Sequence, residues 1–142
     1  MGNTHIEFTT IREDFNEFKT ENGLVLRVKL IVMDILQDAV DKSKFSMDLK
    51  DISNVISPSD FDTSSMELAE LEKVTENDVI KELKFYPIKT TTNIYEIRNA
   101  IILIFLKVSS IKITNKKDKI KHSPILRFNT EANINVINKP IN

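Results

Sequence analysis

Two short loops carry the most specific polar signal in the chain: "DKSKFS", from Asp41, and "DKIKHS", from Asp118. Lys42, Lys44, Lys119 and Lys121, with Lys116 and Lys117 beside the second loop, would form two basic tips able to touch phosphates, as small RNA- or ribosome-binding barrels do. The alternative is a solvated hairpin tip, in which Asp opens the turn and the lysines keep an edge soluble. The second reading is favoured. No cluster of exposed aromatic residues for base stacking accompanies the lysines.

Catalytic chemistry has little to work with. His5 and His122 are the only histidines and stand far apart, outside any metal-ligand spacing. With two glycines in the chain, a glycine-rich phosphate loop has no place. Asp60 and Asp62 are spaced to hold a hard cation, yet in an acidic stretch solvated charge is the default. The expectation is a non-enzymatic protein with no cofactor and no metal.

The elements that would position these loops repeat. "NEFKTENGLVLRVKLIV", from Asn16, matches "NIYEIRNAIILIFLKVS", from Asn93, at an offset of 77. The same offset pairs Phe8 with Phe85, Asn22 with Asn99, Leu26 with Leu103 and Asp41 with Asp118. Only past Leu49 is a shift needed, after which "NVISP" matches "NVINKP". A tandem duplication follows, with copies at 6–58 and 83–140. Each copy reads as about five strands with period-2 alternation. Asn22-Gly23 supplies a tight hairpin turn, and Asn99-Ala100 requires a different one. The expected fold is mainly β: two small barrel-like or SH3-like domains. The acidic segment 59–82 joins them, and its Met66, Leu68, Ala69, Leu71 and Val74 recur at helical spacing and predict a helical linker.

At the offset of 77, Arg27 and Lys29 match Ile104 and Leu106. Ile102, Ile104, Leu106 and Val108 then form an extra apolar face that a linker helix, the other copy or a second chain must cover. These four are the candidate protein interface.

The 142 residues carry a net charge of −1, 41% hydrophobic and 29% charged residues, and no cysteine. That balance gives no global pull toward nucleic acid or lipid, and the lack of thiols fits a reducing compartment, hence the cytoplasm. "MGNTHIEF" lacks a signal-peptide core and the myristoylation pattern, and "AIILIFL" is too short to cross a bilayer. The functional expectation is an interaction or adaptor protein that binds another protein or itself. Nucleic-acid or ribosome association through the lysine loops is the alternative.

Overall fold

The long alternating segments become long strands. In the computed structural model, which describes residues 3–140, the elements are β1 (Thr4–His5), β2 (Thr9–Arg12), β3 (Asn16–Thr20), β4 (Val25–Gln37), β5 (Phe45–Ile56), β6 (Glu67–Ala69), β7 (Val79–Leu83), β8 (Phe85–Lys89), β9 (Thr92–Glu96), β10 (Ala100–Asp118) and β11 (Pro124–Asn138). Strand β5 runs unbroken for twelve residues, because no glycine or proline interrupts it.

The strands form two open sheets, not a closed barrel. The first joins β1, β3, β4, β5 and β8, and the second joins β2, β6, β7, β9, β10 and β11. In β4 every second residue from Leu26 to Val32 is buried, and in β10 every second residue from Ala100 to Val108. These two faces share a single core cluster that draws on both sheets.

The halves of the chain are interleaved. Strand β2, from the first half, pairs with β9, while β8, from the second, pairs with β3. The two exchanges agree residue for residue at the offset of 77. Thr10 faces Tyr95 as Pro87 faces Phe18, and Arg12 faces Ile94 as Lys89 faces Glu17. Both ladders skip the residue between, Ile11 in one and Ile88 in the other. The aromatic contacts follow suit. Phe8 meets Tyr95 edge-on at 6.0 Å and Phe85 meets Phe18 edge-on at 6.0 Å.

Past the first hairpin the correspondence slips by one residue, and the turn is the cause. Thr20 and Leu24 close a three-residue loop with Gly23 at φ 85°, the conformation that demands glycine. Ile97 and Ala100 close a loop of two residues, Arg98 and Asn99, with Ala100 already in the strand. Leu26 therefore faces Phe18 as Ile102 faces Tyr95. The bulges agree with this slip: one falls between Val32 and Asp34, the other between Val108 and Ser110. Since side chains alternate faces, a slip of one moves each residue to the opposite side. Ile104 and Leu106 thus correspond to the core residues Val28 and Leu30, not to Arg27 and Lys29. Leu103, matched to Leu26 in the sequence, stands on the outer face with Arg27.

Segment 59–82 is not the expected helix. It contributes β6, two single-turn 3-10 helices at Leu71–Lys73 and Glu76–Asp78, and β7. Strand β10 is long enough to leave an open edge beyond β9, and β6 and β7 take it: β6 runs parallel to Lys116–Asp118, and β7 antiparallel to Ile111–Thr114. Backbone pairing to that edge outweighs a weak helical periodicity. Only Val74 of the expected helical stripe is buried, while Leu68 and Leu71 are exposed.

The register makes a sharp distinction between two identical residues. Leu26→Ala should cost about 2–5 kcal/mol through lost burial and the cavity left behind. Leu103→Ala should cost about 1 kcal/mol. Equal losses in denaturant melts would place both on the same face and refute the slip.

Candidate interaction surfaces

The lysine tips lie at opposite ends of the molecule. The backbone carbonyl of Lys42 accepts a bond from Gln37 Nε2 at 2.8 Å, at the C-terminal end of β4. Lys121 Nζ instead donates to Asn54 Oδ1 at 2.9 Å, and Asn54 pairs with Arg27 near the start of β4. Ten residues of strand separate Gln37 from Arg27, roughly 30 Å at the rise of an extended chain. The loops do not merge into one basic patch.

Most of the second set is also already engaged. Lys116 Nζ lies 2.6 Å from Glu67 and Lys119 Nζ 3.4 Å from Glu70, while Lys117 donates to the Thr63 carbonyl at 3.2 Å. The hydrogen bond to Glu67 raises the pKa of Lys116 above that of an ordinary lysine, and Lys116 in turn lowers that of Glu67. Lys42 and Lys44 are exposed. The aspartates do open the turns: Asp118 Oδ1 accepts the amides of Ile120 (2.7 Å) and Lys121 (3.2 Å), and Asp41 Oδ1 accepts that of Ser43 (3.1 Å).

Ile102, Ile104, Leu106 and Val108 are buried in the shared core, at 0%, 2%, 3% and 6% exposure. Sheet packing covers them, and no partner can reach them. The outer face of the same strand is not singled out by the sequence, because the one-residue slip leaves no mark in it. There Ile101, Leu103 and Phe105 run beside Ile94 and Ile137, with Phe105 39% and Ile137 52% exposed. The corresponding face of the first sheet carries Arg27 and Lys29 stacked on the Phe15 ring, at 4.2 and 4.9 Å from its centroid.

Two buried asparagines hold the interleaving in place. Asn16 Oδ1 accepts the amide of Thr91 at 2.9 Å, and Asn93 Oδ1 accepts that of Asp14 at 3.1 Å, the same bond at the offset of 77. Asn93 Nδ2 also donates to the Leu30 carbonyl at 3.0 Å, tying β9 to β4 of the other sheet. Beside it Tyr95, whose side chain is fully buried, donates its hydroxyl to Glu13 at 2.5 Å. Burial first, and then the Glu13 carboxylate, push its pKa well above the usual tyrosine value of 10.0.

The acidic and imidazole groups singled out in the sequence do not converge. His5 Nδ1 sits 2.8 Å from Asp34 at the surface, and His122 occupies a left-handed turn position at φ 59°. Asp62 accepts the amide of Ser64 at 2.9 Å, and Asp60 is exposed. Among the described residues no group of three or more His, Asp or Glu is placed to hold a metal ion, and no helix is long and apolar enough to cross a membrane. The groove between Val74, Lys112 and Phe128 has its cationic groups already paired: Lys112 with Glu76 at 2.8 Å, and Arg127 Nη1 with the Val74 carbonyl at 3.0 Å. No protein-family model matches the chain, and no match was found among curated proteins or solved structures.

Removing the Asn93 amide should cost about 1–3 kcal/mol, since Asn93→Ala leaves the Asp14 amide and the Leu30 carbonyl without these partners. A melt unchanged from wild type would show that the amide is not holding the exchange. The Tyr95 shift has its own signature. A folded-state pKa raised above the unfolded value contributes stability that is complete below about 10 and is lost as pH rises beyond it. Between about pH 10 and 12 the wild type should therefore lose stability relative to Tyr95→Phe, and parallel curves for the two would overturn the assignment.

Proposed function

We propose that this chain is a non-enzymatic interaction protein, built from a duplicated small β unit, that binds another protein or itself. Support for the duplication is the agreement of strand exchange, skipped residue, aromatic pair and buried asparagine at one offset. That pattern matches a strand-exchanged pair of units whose two copies have been joined through segment 59–82.

The observation that carries the interaction reading is the difference between the two outer faces. Where one sheet presents Arg27 and Lys29 to water, the other presents Leu103 and Phe105 at the same positions. The unit itself does not need the apolar version, because the first sheet manages without it. An outward apolar patch flanked by polar residues is the ordinary mark of a protein contact. Phosphate binding has weaker support, because the basic tips stand apart and four of their lysines already hold protein partners.

The test gives the second sheet the charges of the first. Leu103→Arg with Phe105→Lys should keep the far-ultraviolet spectrum and melting behaviour of the wild type. Tagged wild-type protein expressed in its native host should carry a protein partner through purification, and the double variant should lose it. Equal recovery with both, or recovery of RNA alone, would defeat the reading.

A further inference from the structure

The C-terminal half of β11 is an unguarded sheet edge. The strand pairs with β10 along one side, and among the described residues nothing pairs with its other side. From Glu131 to Asn138 every residue is exposed, and Ile134, Val136 and Ile137 remain 42%, 40% and 52% accessible. Between Glu131 and Lys139 the segment "ANINVIN" contains no charge, no proline and no glycine. Such a row of free backbone groups is a template for another strand, and folded proteins normally blunt it.

Three other edges are blunted. Strand β5 occupies the matching place in the first sheet and carries Asp48, Lys50 and Asp51. By ladder position these correspond to Asn129, Glu131 and Ala132, so β11 keeps one charge of three. Strand β8 has Pro87 and Lys89, and β2 is four residues long, interrupted at Ile11 and closed by Arg12.

We propose that β11 pairs antiparallel with β11 of a second copy of this chain, centred on Asn135, to give a closed twofold dimer with one continuous sheet. This goes beyond the interaction reading above and uses a different surface, the strand edge rather than the Leu103 face. Two independent features select that register. The first is charge: centring on Asn135 places Glu131 of each copy opposite Lys139 of the other, whose Nζ also lies 3.2 Å from Glu96 of its own chain, at both ends of an otherwise uncharged run. The second is the direction of the backbone groups. Lys139 N–H donates to the Asn99 carbonyl at 2.9 Å. The alternation of an antiparallel ladder then turns the amides and carbonyls of Asn133, Asn135 and Ile137 toward β10. Those of Ala132, Ile134, Val136 and Asn138 point away from the sheet. The proposed register sets Ala132 against Asn138 and Ile134 against Val136, so each outward group meets an outward group. A shift of one residue would mismatch both the backbone bonds and the charges. Ile134 and Val136 of both copies come together on one side of the seam, where each is now partly exposed. Because the contact is isologous, it closes at two copies.

Sedimentation equilibrium across a range of protein concentrations reads the result. The wild type should move from the monomer mass toward twice that mass. Val136→Pro removes an outward amide while leaving the bonds to β10 intact, and should hold the protein monomeric with a wild-type melt. Glu131→Lys and Lys139→Glu should each raise the dissociation constant roughly tenfold, because the twofold axis doubles every like-charge pair. The combined swap should restore most of the loss, and Leu103→Arg with Phe105→Lys should leave the dimer intact. A chain that stays monomeric at every concentration overturns the pairing, as does a dimer indifferent to Val136→Pro or growth into open-ended fibres. A monomer that still carries a partner through the Leu103 face would sink the self-pairing alone and leave the interaction reading standing.

Discussion

Everything in this fold depends on the exchange of first strands between the two halves, and the exchange depends on two buried amides. A short strand such as β2 or β8 has little apolar area of its own. It is held by a ladder, by one aromatic contact, and by an asparagine that accepts a backbone amide just past its end. Asn16 and Asn93 each sit at the start of a central strand, and each takes the amide of a residue that enters from the opposite half. An unsatisfied group there would carry the full desolvation cost of a buried donor, so the crossing point is strongly specified. Once it is set, the buried residues of β4 and β10 join one cluster, and a single core serves both halves. Two units of about this length would each have a marginal core, and sharing one removes that limit.

A turn one residue shorter has consequences along a whole strand. In the first half Gly23 allows a three-residue loop; in the second, Arg98 and Asn99 make a loop of two. Both arrangements bury the same alternating set, because hydrophobic alternation and turn geometry together define register. What changes is which residue numbers correspond, and with them the meaning of the second strand's apolar outer face. Leu103 and Phe105 replace Arg27 and Lys29 at the positions where the first sheet meets water.

The lysine loops show how a repeated motif acquires a structural basis. Aspartate at the head of each loop accepts backbone amides that would otherwise be unpaired in a tight reversal. The lysines then lie wherever the hairpin ends point, and the interleaving sends those ends in opposite directions. Their neighbours along 59–82 are acidic, which neutralises much of the second cluster. Edge protection follows the same local logic, with charge or proline on three edges and neither along "ANINVIN".

Much of this was legible in the sequence for a simple reason: strand alternation and hairpin signals are local. The β class, the long central strands, the turn at Gly23 and the matching of the halves around Asn16 and Asn93 all rest on neighbours close in the chain. Strand exchange is not local. Whether β8 completes its own half or the other depends on which edge is free and on where the Asn16 amide finds its partner, 75 residues away. The slip at the second hairpin was equally hidden, since an offset that fits Asp41 and Asp118 at the loops gives no sign of a residue lost between them. Segment 59–82 carried a helical period, but the open edge of β10 offered it backbone partners that no local pattern reveals. The four residues expected at an interface therefore lie on the buried face of β10. Period and composition determined which segments are strands and how they alternate. Only tertiary packing decided which edge each strand joins and which of its two faces meets water, because both depend on hydrogen-bond partners distant in sequence.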